Sequence, residues 1–167
     1  GSENLALACK KYKANLIHIS TDFVFDGTKT TPYTNSDRTC PINVYGESKL
    51  VGDQMVSKIL GSQSVVIRTA WVYSANGNNF VKTMLNLMRE KDELGIVYDQ
   101  VGTPTWAKGL ARMIWSLIQS HSFNDNVNDE SLMLHWTDAG VASWYDFACS
   151  IQELALNKGL LKNAIPV

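Results

Sequence analysis

Tyr45 and Lys49 stand four residues apart in the run N-V-Y-G-E-S-K, Asn43 to Lys49. On a helix, positions i and i+4 lie on one face, one turn apart. A phenol and an ammonium then point the same way. A phenol with an ordinary pKa of about 10 is a poor base at neutral pH, and a neighbouring ammonium favours its ionised form. Upstream, H-I-S-T-D-F-V-F-D-G (His18 to Gly27) reads as a buried strand that ends in the hydroxyls of Ser20 and Thr21. A hydroxyl there would hold a reacting oxygen by hydrogen bonding while a proton moves. The set suits proton transfer to or from a carbonyl or alcohol oxygen. None of these side chains carries a hydride, so carbonyl reduction by them implies a nicotinamide cofactor. Spacing alone is a weak signal, because a surface tyrosine packed on a lysine stem gives the same pattern. Tyr45 is nonetheless the only one of the 6 tyrosines with lysine at that spacing.

These residues need elements to place them. Residues 2–13 read as a helix with Leu5, Ala8, Cys9 and Tyr12 on its apolar stripe and Ser2 as N-cap. Asn15 to Ser20 reads as a strand of a parallel sheet, whose ligands bind beyond the carboxyl ends of the strands. His18, inside that strand, reads as a core-facing or cross-strand histidine with a hydrogen-bond partner. Residues 26–41 are turn-rich, and a helix follows from Val44 to Leu60, closed by Gly61. Gly52 lies on its Tyr45/Lys49 side and allows close packing on the sheet. Ser64 to Ala70 is β-branched and forms the next strand, which delivers Trp71 to a carboxyl end.

Further on, a helix over Asn79 to Glu90 places Phe80, Met84, Leu87 and Met88 on a core face. Gly95 to Tyr98 reads as a short strand, 99–104 as a loop, and Thr105 to Ser120 as a helix burying Leu110, Ile114, Leu117 and Ile118. Residues 121–130 read as a surface connection and Leu132 to Trp136 as a strand. Ser143 opens a capping box, S-x-x-D, on a helix reaching Asn157 and ending near Gly159. The fold class expected is α/β, a partial Rossmann-like doubly wound parallel sheet with a small α/β substrate-binding part.

Composition excludes several functions. The 167 residues carry a net charge of −1, which offers no electrostatic case for nucleic acid or a membrane surface. No apolar run approaches the roughly 20 residues of a membrane helix. The 3 cysteines, Cys9, Cys40 and Cys149, lack metal-ligand spacing, and an odd count argues against a disulfide framework. Cys9 and Cys149 read as buried thiols, and a reducing, cytoplasmic compartment follows.

The blocks S-T-D-F-V-F-D-G, P-x-N-V-Y-G-x-S-K, R-T-A-W-V-Y (Arg68 to Tyr73), G-N-N-F-V-K-T-M-L (Gly77 to Leu85), D-Q-V-G-T-P-T (Asp99 to Thr105) and S-W-Y-D-F-A (Ser143 to Ala148) occur in one order. Together they resemble the extended short-chain dehydrogenase/reductase family, within it the branch of nucleotide-sugar reductases. The resemblance implies reduction of dTDP-4-dehydro-L-rhamnose to dTDP-L-rhamnose by NADPH or NADH. It makes Tyr45 the general acid for the C4 oxygen, Lys49 its assistant and a holder of the nicotinamide ribose, and Thr21 a hydrogen-bond donor to the substrate carbonyl. Ser20 joins Tyr45 and Lys49 on the cofactor side. Asp22, Phe23, Val24, Trp71, Asn79, Gln100 and Thr105 would lie near the nucleotide sugar. Asp22 could as well cap backbone N–H groups, and Trp144 and Tyr145 read as packing. Where this chain has Phe23 the family usually has Tyr, so a hydroxyl that would contact substrate or cofactor is missing.

Residues 1–76 would be the remaining half of the NAD(P)-binding domain, with the Thr-Tyr-Lys site. Residues 77–167 would be mainly the nucleotide-sugar part, intertwined with the first. No Gly-rich strand–turn–helix motif for a pyrophosphate occurs in the sequence. The chain therefore reads as an internal fragment of a longer enzyme or a truncated relative, and Gly1-Ser2 as native or a cloning scar. A homodimer or another assembly is expected, to cover an exposed sheet edge and an apolar face. Some family members use a divalent metal, Mg2+, at a subunit contact, but no ligand cluster here supports one. Two other functions share these blocks: a regulatory binding subunit resembling the beta subunit of methionine adenosyltransferase, and a nucleotide-sugar epimerase or dehydratase.

Overall fold

A computed structural model describes residues 1–120 and 129–167. Helix α1, Ser2–Tyr12, stops at Lys13, whose φ of 54° is left-handed. Strand β1, Leu16–Thr21, runs into a 3₁₀ turn over Asp22–Val24. Helix α2, Val44–Leu60, begins at Asn43, whose Oδ1 accepts from the Gly46 N–H at 2.7 Å. It ends at Gly61, with φ 53°. Strand β2, Ser64–Thr69, is buried at every residue. There follow β3, Val72–Tyr73; α3, Phe80–Glu90; β4, Val101–Gly102; β5, Thr105–Trp106; α4, Ala107–Gln119; β6, Leu132–His135; β7, Ala142–Ser143; and α5, Trp144–Asn157.

The chain divides into two compact units, residues 1–69 with 111–136 and residues 70–110 with 137–167. In the first, β1, β2 and β6 form a parallel sheet in the order β1-β2-β6, with His18 opposite Val66 and Arg68 opposite His135. Parallel neighbours need a long crossover, and α2 supplies it between β1 and β2. Val65, Val66 and Ile67 are fully buried, each contributing about 1.5–3 kcal/mol. Ala6, Val56 and Leu60 join α1 and α2 to Val66 of the sheet.

In the second unit, β3 pairs with β5 in parallel and β4 with β7 antiparallel. Met84 and Met88 of α3 pack with Ala148, Ile151 and Ala155 of α5, so these methionines are core. Ser143 and Asp146 form the expected capping box at the start of α5. Among the described residues no helix is long and apolar enough to cross a membrane.

The fold is α/β with a parallel sheet, as expected, but six local readings need correction. Gly95 to Tyr98 is not a strand. Its recorded backbone bond, Tyr145 N–H to the Val97 carbonyl at 3.1 Å, does not extend into a ladder. Thr105 and Trp106 belong to β5 rather than to α4, because they pair with Val72 and Tyr73, and β4 interrupts the expected 99–104 loop. On α4, Leu110 is buried but Ile118 is exposed. Ser2 is the first helical residue of α1, and Gly1 takes the N-cap position. Cys9 and Cys149 are only partly buried. Most of the expected 121–130 connection, residues 121–128, lies outside the described residues.

Candidate active site

β1 carries Ser20 and Thr21, both buried, to its carboxyl end. The Thr21 Oγ1 accepts from the Phe23 N–H at 3.2 Å and donates to Asp22 Oδ1 at 3.1 Å, so it caps the 3₁₀ turn. A threonine has one O–H proton to give. To hold a substrate carbonyl, Thr21 must turn that proton away from Asp22. Burial raises the Asp22 carboxyl above its ordinary pKa, against the Thr21 hydrogen bond and backbone N–H groups that lower it. The Ser20 hydroxyl is buried without a hydrogen-bond partner among the described residues.

α2 is set down on this strand end by its own first turn. A Cβ on Gly46 would run into the Phe23 carbonyl, so only glycine permits the approach. The Tyr45 side chain stays open, at 54% exposure, with the Phe23 ring edge-on to it at 5.6 Å. One turn on, the Lys49 Nζ donates to the Ile19 carbonyl at 2.8 Å. The first unit thus brings Ser20, Thr21, Phe23, Tyr45 and Lys49 to one end of one strand. Val24 is fully buried, so its side chain is core and offers no surface to a ligand.

Four expected site residues fall in the second unit. Trp71 has φ 46°, a left-handed conformation rare for a bulky side chain. Its indole stacks on Trp144 with ring centroids 3.5 Å apart, 8° from parallel. Asn79 caps α3 by accepting from the Lys82 N–H at 3.3 Å, and its Nδ2 donates to the Ser74 carbonyl at 2.7 Å. Gln100 is exposed. Thr105 is fully buried, and its hydroxyl donates to the Thr103 carbonyl at 3.2 Å, so it shapes the loop rather than facing solvent.

The sequence reading missed Asp53 and Arg68, a buried pair 3.3 Å apart. The signal was there: an acid on the apolar side of α2, and an arginine inside the apolar run S-V-V-I-R-T-A.

A parallel α/β sheet with a hydroxyl at a strand end and Tyr-x-x-x-Lys on the following helix defines the class of short-chain reductases and their nucleotide-sugar relatives. The chain belongs to the RmlD substrate binding domain family, whose model matches residues 1–166. A dTDP-4-dehydrorhamnose reductase of Burkholderia thailandensis is 41% identical over 153 residues, covering 88% of this chain and 49% of that protein. The crystal structure of a dTDP-4-dehydrorhamnose reductase from Clostridium acetobutylicum is similar with a TM-score of 0.84 and 42% identity, over 99% of this chain and 55% of that one. The Bacillus anthracis enzyme of the same name, in complex with NADP, has a TM-score of 0.83 and 36% identity over 99% of this chain and 55% of its own. The chain spans about half the length of the relatives it matches.

Proposed function

We propose that this chain performs the proton transfer in NADPH- or NADH-dependent reduction of dTDP-4-dehydro-L-rhamnose to dTDP-L-rhamnose. The observation that carries the reading is the Lys49 ammonium, fixed on the Ile19 carbonyl at 2.8 Å, one turn from an open Tyr45 phenol. The relatives' names supply the sugar. The first unit carries the proton-transfer set and the second, with Trp71, Asn79 and Gln100, the nucleotide-sugar part.

The donors present fit a nicotinamide ribose. An ammonium has three N–H groups, and Lys49 gives one to Ile19, which leaves donors for ribose hydroxyls. The buried Ser20 hydroxyl has no hydrogen-bond partner among the described residues and adds a donor beside them. The bound cofactor supplies the hydride. Thr21 holds the sugar's C4 oxygen, and Tyr45 gives that oxygen its proton as negative charge develops there. Lys49 stabilises the phenolate that remains.

Titration of the chain with dTDP-L-rhamnose, followed by tryptophan fluorescence, tests the reading. Saturable binding supports it. No binding, with co-purification of a methionine adenosyltransferase, points to the regulatory subunit instead. A homodimer belongs to the same reading and is supported by exposed Leu5, Leu7 and Tyr12 on α1; sedimentation velocity checks it. A reducing, cytoplasmic setting fits the free thiols of Cys9, Cys40 and Cys149.

A further inference from the structure

Asp53, one turn beyond Lys49, forms a buried pair with Arg68, and the partly buried His18 stands beside them. The Asp53 side chain is 2% exposed and that of Arg68 6%. Arg68 Nε donates to Asp53 Oδ2 at 3.3 Å. Asp53 Oδ1 lies 3.4 Å from His18 Nε2, near enough for attraction though not aligned as a hydrogen bond. Removing two ions from water costs several kcal/mol each, so such a pair is a poor device for stability alone. What it supplies, and apolar packing does not, is direction.

Tyr45, Lys49 and Asp53 fall at i, i+4 and i+8, on one stripe of α2. Three points along that helix meet the sheet side. Gly46 sits on the Phe23 carbonyl and Lys49 bonds the Ile19 carbonyl. Asp53 reaches both β1, through His18, and β2, through Arg68. Gly52 beside it keeps α2 close to α1: a Cβ there would lie 3.0 Å from Ser2 Oγ, and 3.6 Å, an ordinary contact, from His18 Nε2.

We propose that Asp53 is a positioning residue for the proton-transfer set: tied to two strands, it fixes the rotation of α2 and so the placing of Lys49 and Tyr45 at the end of β1. Its geometric part stands alone, whereas its effect on turnover rests on the reductase reading.

Asp53→Asn and Asp53→Glu test it in two settings. In the chain itself, NMR of lysine labelled with carbon-13 at Cε reports the Lys49 ammonium. Asp53→Asn moves the Lys49 signal to the position of a free surface lysine, and Asp53→Glu keeps it in place. The second setting is a chimera of the chain with the unmatched part of the Clostridium acetobutylicum reductase. There Asp53→Asn lowers kcat on the order of tenfold, with KM for the dTDP sugar within about twofold, and Asp53→Glu restores most of kcat. A merely structural Asp53 would lower Tm and leave kcat per folded molecule unchanged. A folded Asp53→Asn variant with the Lys49 signal and kcat unmoved overturns the proposal. Should that variant not fold, Arg68→Lys replaces it, and an unmoved Lys49 signal there overturns the proposal equally. A chimera of unaltered sequence without turnover sinks the reductase reading, and the Lys49 signal alone then decides the role of Asp53.

Discussion

The indoles of Trp71 and Trp144 stack with ring centroids 3.5 Å apart and 8° from parallel. The Phe80 ring lies 4.6 Å from Trp144 on the same cluster. Trp71 reaches this position only with a left-handed φ of 46°. Such conformations persist where the surroundings over-determine them, and they concentrate at functional sites. Gly102 closes the arrangement, because a Cβ there would run into the Trp71 ring.

Gly102→Ala therefore breaks the stack. It should destabilise the second unit by about 1–3 kcal/mol, the usual cost of overpacking. Near-UV circular dichroism would show the loss of the coupled tryptophan bands. A variant with an unchanged spectrum and Tm would contradict this arrangement.

Gly46→Ala acts on the other unit. The new methyl meets the Phe23 carbonyl, so the first turn of α2 must lift from the end of β1. Loss of about 1–3 kcal/mol is expected by denaturant unfolding. The Phe23–Tyr45 ring contact at 5.6 Å should go with it, read from ring-current shifts of the Tyr45 protons.

Asp37 ties down the loop after the 3₁₀ turn. It accepts from Lys29 Nζ at 2.6 Å and from the Thr34 N–H at 2.6 Å. These bonds, the lysine foremost, hold its carboxyl down to about 2. A carboxyl depressed in the folded state stabilises at pH above its unfolded value and loses that contribution as pH falls through its folded value. The loop should thus stay ordered down to about pH 4 and loosen between about pH 4 and about 2. Hydrogen exchange at the Thr34 amide follows this, and Asp37→Asn should release the amide already at neutral pH.

Much of this was legible in the sequence where the signal is local. Val44 to Leu60 closed by Gly61, and the Ser143–Asp146 box that opens α5, both rest on contacts within a few residues, whereas the caps Asn43 and Asn79 went unread. What else escaped depends on partners far off in the chain. Thr105 and Trp106 look helical until Val72 and Tyr73 claim them as a strand. Gly95 to Tyr98 has strand composition but no ladder to join. Asp53 makes sense only once Arg68 and His18 stand beside it. At the candidate site, the sequence carried Tyr45, Lys49 and Thr21 by spacing and resemblance. It did not tell that Val24 and Thr105 turn inward, since burial is a property of the folded neighbours.

The most direct measurement is turnover of dTDP-4-dehydro-L-rhamnose with NADPH by the chimera, with and without Tyr45→Phe. Phenylalanine keeps the ring packing and removes only the proton donor. The expected result is loss of kcat by about a hundredfold or more, in a protein with unchanged circular dichroism, because a positioned acid contributes about 10²–10⁴-fold. Full turnover by the Tyr45→Phe enzyme would contradict the assignment of Tyr45 as the proton donor.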